Sequence, residues 1–141
     1  RRLPARANPM RVTICKFCDY AGTLKGDKGC LIGMFDSISV AQFPFTHPRF
    51  HACVELDFEP TEGGTAMVIE VSLVDDDGRP LFSFRHEITV PIGEIGRNTR
   101  MMQDYAIDHL VFERAGTYRL DVRWQGESIA EERLFVVHTP R

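Results

Sequence analysis

The strict alternation of side chains from Arg49 to Glu59 constrains this chain more than any other feature. Phe50, Ala52, Val54, Leu56 and Phe58 share one parity, and His51, Glu55, Asp57 and Glu59 share the other. Only an extended strand sends successive side chains to opposite faces, so the pattern predicts a β-strand. One apolar and one polar face imply an antiparallel strand with a dry side and a wet side.

The same period recurs along the chain. Thr61-Glu62-Gly63-Gly64 reads as a turn, followed by an inward row of Met67, Ile69, Val71 and Leu73. Asp75-Asp76-Asp77-Gly78 then signals a hairpin, because glycine takes a positive φ without a Cβ penalty. Phe82, Phe84, His86, Ile88 and Val90 continue inward until Pro91, and Gly93 to Arg100 reads as a loop. Thr99 to Leu110 has room for a short helix but fits a strand better. Tyr118, Leu120, Val122 and Trp124 form a further inward row, and Leu134 to Val137 returns the chain after Gln125-Gly126-Glu127. A Gly-x-Tyr entry into a late strand is a feature of immunoglobulin-like sandwiches, where the tyrosine bonds back to upstream backbone. About 7–8 strands of this spacing predict an all-β, two-sheet antiparallel β-sandwich of immunoglobulin-like type.

At 141 residues the chain is one domain by length and large enough for a core without staples. Residues 10–138 read as that domain, 1–9 as a basic, proline-containing flexible extension, and 139–141 as a tail. Met10 directly precedes the first apolar strand and reads as a candidate start. The net charge of −3, with both signs interspersed, gives no basic footprint and so no nucleic-acid partner. No apolar run approaches the ~20 residues of a spanning helix, so no membrane role is expected. No secretory signal is visible, and the expectation is a cytoplasmic protein with Cys15, Cys18, Cys30 and Cys53 as reduced, mostly packed thiols.

Several residue types here carry chemistry in other settings. Cys15-Lys16-Phe17-Cys18 has metal or redox spacing, but in a strand residues three apart face opposite ways, which favours packing. His47 and His51 are four apart, yet Pro48 argues against the helix that would align them. His86 falls on an inward row, as a hydrogen-bonded core or edge residue. Asp75 to Asp77 could form a calcium loop, but the Asp-Gly hairpin explains the run with fewer assumptions. Asp19 and Asp36 sit among apolar residues, where a carboxylate must find donors or change its titration. No nucleophile elbow, phosphate loop, dinucleotide fingerprint or HExxH is present, so neither an enzyme nor a cofactor is expected.

Phe17-Cys18-Asp19-Tyr20-Ala21, the run from Lys28-Gly29 to Gly33-Met34-Phe35-Asp36, and Phe43-Pro44 with His47-Pro48 together resemble a family of small uncharacterised bacterial proteins, a domain of unknown function. The resemblance covers about Met10 to Val137 and implies an all-β cytoplasmic domain. It brings no activity and no catalytic residue.

Three functions follow as expectations. The first is a non-enzymatic protein-interaction or assembly module, binding a protein partner or itself. Its surface would be Phe43, Pro44, Phe45, His47 and Pro48, an excess of aromatic and proline residues over what a connection needs. The alternative is a small-molecule or metal-binding protein that uses Asp19, Asp36, His47 and His51. A third, adhesive surface domain would require disulfides.

Overall fold

The computed structural model describes residues 10–141; the extension expected at residues 1–9 lies outside the described residues. Eleven strands follow in chain order. They are β1 (Arg11–Leu24), β2 (Lys28–Phe35), β3 (Ser37–Val40), β4 (Phe45–His47), β5 (Phe50–Phe58), β6 (Ala66–Val74), β7 (Pro80–Thr89), β8 (Thr99–Ile107), β9 (Leu110–Phe112), β10 (Gly116–Trp124) and β11 (Glu127–His138). The count exceeds the 7–8 read from the sequence. The extra elements β3, β4 and β9 span four, three and three residues, too few to register as alternation.

One sheet has the order β2-β1-β5-β8 and the other β3-β11-β10-β6-β7, with β4 and β9 forming a small third ladder. The two main sheets enclose the core of an immunoglobulin-like sandwich. Not every pair is antiparallel, as the sequence suggested, because β3 runs parallel to β11. The chain crosses from one sheet at Phe35 to the other at Ser37 without reversing, so β3 meets the last strand in its own direction.

The inward rows of β5, β6 and β10 pack as their alternation requires, while in the β7 row Phe84 stays 37% exposed. Phe50, Ala52, Val54, Leu56 and Phe58 of β5 are fully buried, facing Ile69, Val71 and Leu73 of β6 and Leu120 and Val122 of β10. Each such aliphatic or aromatic side chain contributes about 1.5–3 kcal/mol through area removed from water. Phe58 and Trp124 meet across the sheets, with ring centroids 5.7 Å apart. Thr99 to Ile107 is a strand and not a helix.

The tyrosine corner is present: Tyr118 Oη donates to the Arg114 carbonyl at 2.6 Å. The Arg114 guanidinium donates to Asp76 Oδ1 at 2.6 Å and to Asp77 Oδ2 at 3.0 Å. Arg114 thus joins the corner to the β6–β7 turn, where Asp75 Oδ1 accepts from the Asp77 and Arg79 amides, both at 2.9 Å.

The wet face expected for β5 is not there. His51, Cys53 and Asp57 are buried along with the inward row. The far half of the β1–β2 hairpin packs against His51 and Cys53. Ala21 and Leu31 pack with Cys18 and Cys53 in a second apolar cluster, and the Met102 side chain of β8 reaches Gly29. Gly33 of β2 has a φ of +71°, and a Cβ there would lie 2.5 Å from Asp19 Oδ2. Both constraints call for glycine. Asp57 is met by the Arg11 guanidinium at 3.1 Å, which gives the buried carboxylate a charged donor.

Candidate functional site

The aromatic run that ends β2 and leads into β5 builds one end of the sandwich. Phe35, Phe45, His47 and Phe50 form a ring-on-ring group: His47 stacks on Phe35 at 6.1 Å and meets Phe50 edge-on at 4.9 Å. His47 Nδ1 donates to the Pro48 carbonyl at 2.6 Å, which leaves Nε2 as the acceptor nitrogen. Two shallow grooves flank Phe35. One of about 310 Å³ is lined by Asp19, Gly33, Met34, Ser37 and His47 among others. The other, about 220 Å³, is lined by Lys16, Met34, Phe35, Asp36 and Glu132. Lys16 and Glu132 form an ion pair at 3.4 Å across its wall.

Of the residues proposed for ligand binding, Asp19 and His47 therefore share a groove, and Asp36 lines the neighbouring one. Asp19 and Asp36 are both solvent-exposed, so the conflict between charge and apolar surroundings read from the sequence does not arise. His51 lies apart from the grooves. It is buried on the outer face of β5, where Nδ1 donates to Asp104 Oδ1 at 2.7 Å and the Tyr20 ring packs edge-on at 6.0 Å. No three of Asp19, Asp36, His47 and His51 bring ligand atoms within 4.8 Å of one another; among the described residues only Asp75, Asp76 and Asp77 do so. Arg114 already bonds two of those three carboxylates.

The same outer face holds the thiols. Cys18 and Cys53 are fully buried with their sulfurs 3.8 Å apart, and Cys53 Sγ lies 3.9 Å from Asp104 Oδ1. Burial pushes both thiols above the usual range; the second sulfur and the Asp104 carboxylate push Cys53 further. Cys53 donates to the Asp104 carboxylate, whose negative charge, together with burial, disfavours the thiolate. This is a packed pair of neutral thiols and not an activated nucleophile. Cys15 faces the main core instead, its thiol pushed up to about 12 by burial and by Glu132. Cys15 and Cys18 thus occupy opposite faces of β1, and all four cysteines are free. Asp104 was not singled out in the sequence. Its importance comes from the β5–β8 register, which sets it beside Cys53.

The segment proposed as a contact surface divides. Phe43 and Phe45 are half-buried and pack against the main core, and Phe45 pairs with Phe112 in the β4–β9 ladder. Pro44 and Pro48 are exposed, and His47 is half-buried among the rings. The strongest exposed apolar side chains next to these grooves belong to the β1–β2 hairpin. Tyr20 (54% exposed) stands opposite Ile32 (57%), and Met34 (63%) follows two residues further along β2.

The model of the family of unknown function DUF6941 matches residues 13–137. Among curated proteins no sequence matches the chain. Three solved structures are similar to it at low identity. A β-glucosidase from Listeria innocua, in complex with glucose, superposes at TM-score 0.50 with 12% identity, over 90% of this chain and 17% of that one. The alkylpurine DNA glycosylase AlkC of Pseudomonas fluorescens gives 0.48 and 9%, over 92% and 31%. An immunoglobulin-like protein of Pseudomonas aeruginosa gives 0.42 and 18%, over 94% and 99%. The chain is thus a small part of the length of the first two. No helix among the described residues is long and apolar enough to cross a membrane.

Proposed function

We propose that this chain, which belongs to the family of unknown function DUF6941, works as a non-enzymatic β-sandwich module that binds another protein. One observation carries the reading: Tyr20, Ile32 and Met34, each more than half exposed, lie on the hairpin that ends in the edge strand β2, with Tyr20 directly opposite Ile32. Single exposed apolar residues need no explanation, but three on one hairpin beside a strand edge left unpaired among the described residues suit a partner surface. The neutral, buried thiols argue against thiolate catalysis, and the four free cysteines suit a reducing compartment such as the cytoplasm. The interspersed charge argues for a protein partner over nucleic acid.

A photo-crosslinking residue at position 34, compared with one at position 131 on the outer face of the other sheet, tests this in the native host. The expected result is a discrete protein adduct from position 34 only, lost when Ile32 is changed to Lys. Equal labelling from both positions would sink the reading.

A second reading, ligand binding, is favoured by the groove that Asp19 and His47 share. Native mass spectrometry and elemental analysis of the purified protein would then find a bound small molecule or metal, released by Asp19→Ala.

A further inference from the structure

The geometry points to a second site of association, in which β7 pairs antiparallel with the β7 of another copy of this chain about a two-fold axis at His86. The proposal belongs to the assembly reading above but uses the opposite edge of the molecule, away from the hairpin. Among the described residues β7 is the terminal strand of its sheet and pairs only with β6, which leaves its outer backbone edge unpaired by them. From Ser83 to Thr89 it carries no glycine, proline or register shift. Proline and bulges blunt an exposed edge, and β7 has neither there; its edge charges, Arg85 and Glu87, admit only a partner whose charges match them. The only proline, Pro80, and the only irregularity, at Leu73/Val74 opposite it, lie beyond that stretch.

Charge complementarity names the occupant. Arg85 and Glu87 are exposed, lie on the same face of β7, and form no ion pair among the described residues. A register centred on Arg85 would oppose the two arginines, and one centred on Glu87 the two glutamates; directly opposed like charges destabilise a ladder. Centred on His86, the pairing sets Arg85 against the partner's Glu87, and Glu87 against the partner's Arg85. Ser83 then faces the partner's Thr89. On the inner side Phe84, 37% exposed where it stacks on Tyr105, faces the partner's Ile88. A symmetric pair of this kind closes on itself and stops at two copies.

The test is the weight-average mass of the full chain in solution by sedimentation or light scattering, followed up to about 1 mM, well above a Kd of roughly 100 µM for a modest interface. The expected result is twice the 16.1 kDa chain mass, a fall to the monomer in Arg85→Glu, and recovery of the dimer when Arg85→Glu is combined with Glu87→Arg. The single change should weaken association about tenfold or more, given two opposed carboxylate pairs in place of two ion pairs. A monomeric wild type, a dimer indifferent to Arg85→Glu, or a double variant that stays monomeric would each overturn the proposal. Ile32→Lys on the hairpin should leave the mass unchanged, so loss of the crosslinked partner and loss of the dimer are read separately. Far-UV circular dichroism of each variant confirms that the sandwich is intact.

Discussion

His51 and Asp104 are joined by a 2.7 Å hydrogen bond between β5 and β8, with the imidazole almost wholly out of solvent and the carboxylate about one-third exposed. The bond satisfies a polar group that the β1–β2 hairpin would otherwise bury alone. Asp104→Ala leaves the His51 Nδ1–H without an acceptor, and this should cost about 1–3 kcal/mol. Asp104→Asn keeps an acceptor oxygen and should cost less. Denaturant unfolding of both variants at pH 7 makes the comparison; equal losses would mean that the pair matters only through its charge.

Tyr118 holds the Arg114 carbonyl at 2.6 Å, while the Arg114 side chain holds the β6–β7 turn. Tyr118→Phe removes one hydrogen bond and no apolar surface, so unfolding free energy should fall by about 0.5–1.5 kcal/mol. Arg114→Ala should leave the corner intact, since the acceptor there is backbone, and should loosen only the turn. Hydrogen exchange at the Asp77 and Arg79 amides would register that loosening.

The thiols differ in exposure and in proton affinity. Cys18 and Cys53 are fully buried and pushed up, and Cys15 is raised to about 12. Only Cys30, half-buried on the edge strand, remains available. At pH 8 a thiol-specific reagent should modify one cysteine quickly in the native protein and four in denaturant. Cys30→Ser should remove the fast phase. A second fast thiol in that variant would show that the hairpin opens over Cys18 and Cys53.

Asp75 accepts the Arg79 and Asp77 amides, and these bonds, with Arg114 nearby, hold its carboxyl below the ordinary value of 3.8. A depressed native value means that the ionised form stabilises the fold at neutral pH. That stability is present above the usual carboxylate value and is lost as pH falls through the lower native one. The difference in unfolding midpoint between the wild type and Asp75→Ala should therefore be largest near pH 7 and shrink steadily below about pH 4. A constant difference down to pH 2 would remove ionisation from the explanation.

What could be read in the sequence was what local geometry dictates. The inward rows, the strand at Thr99, the Asp-Gly hairpin, the tyrosine corner and the opposed faces of Cys15 and Cys18 follow from period two and from turn chemistry, and each is local in the chain. The outer residues of β5 were misjudged because polarity indicates which face is not the main core, and does not reveal what else might cover it. Likewise Phe43 and Phe45 looked like surplus aromatic surface, because a three-residue strand such as β4 leaves no periodic trace and its partner β9 lies far along the chain.

The sequence alone therefore determined an all-β sandwich and the residues of its main core, since burial of one strand face is written in alternation. Only the tertiary structure decided the rest. The β1–β2 hairpin packs against His51 and Cys53 of β5, the β5–β8 register brings Asp104 to His51 and Cys53, and the strand order leaves β2 and β7 as edges. Those outcomes depend on which strands become neighbours, and pairing between distant segments is set by the packing of the whole chain rather than by any stretch of it.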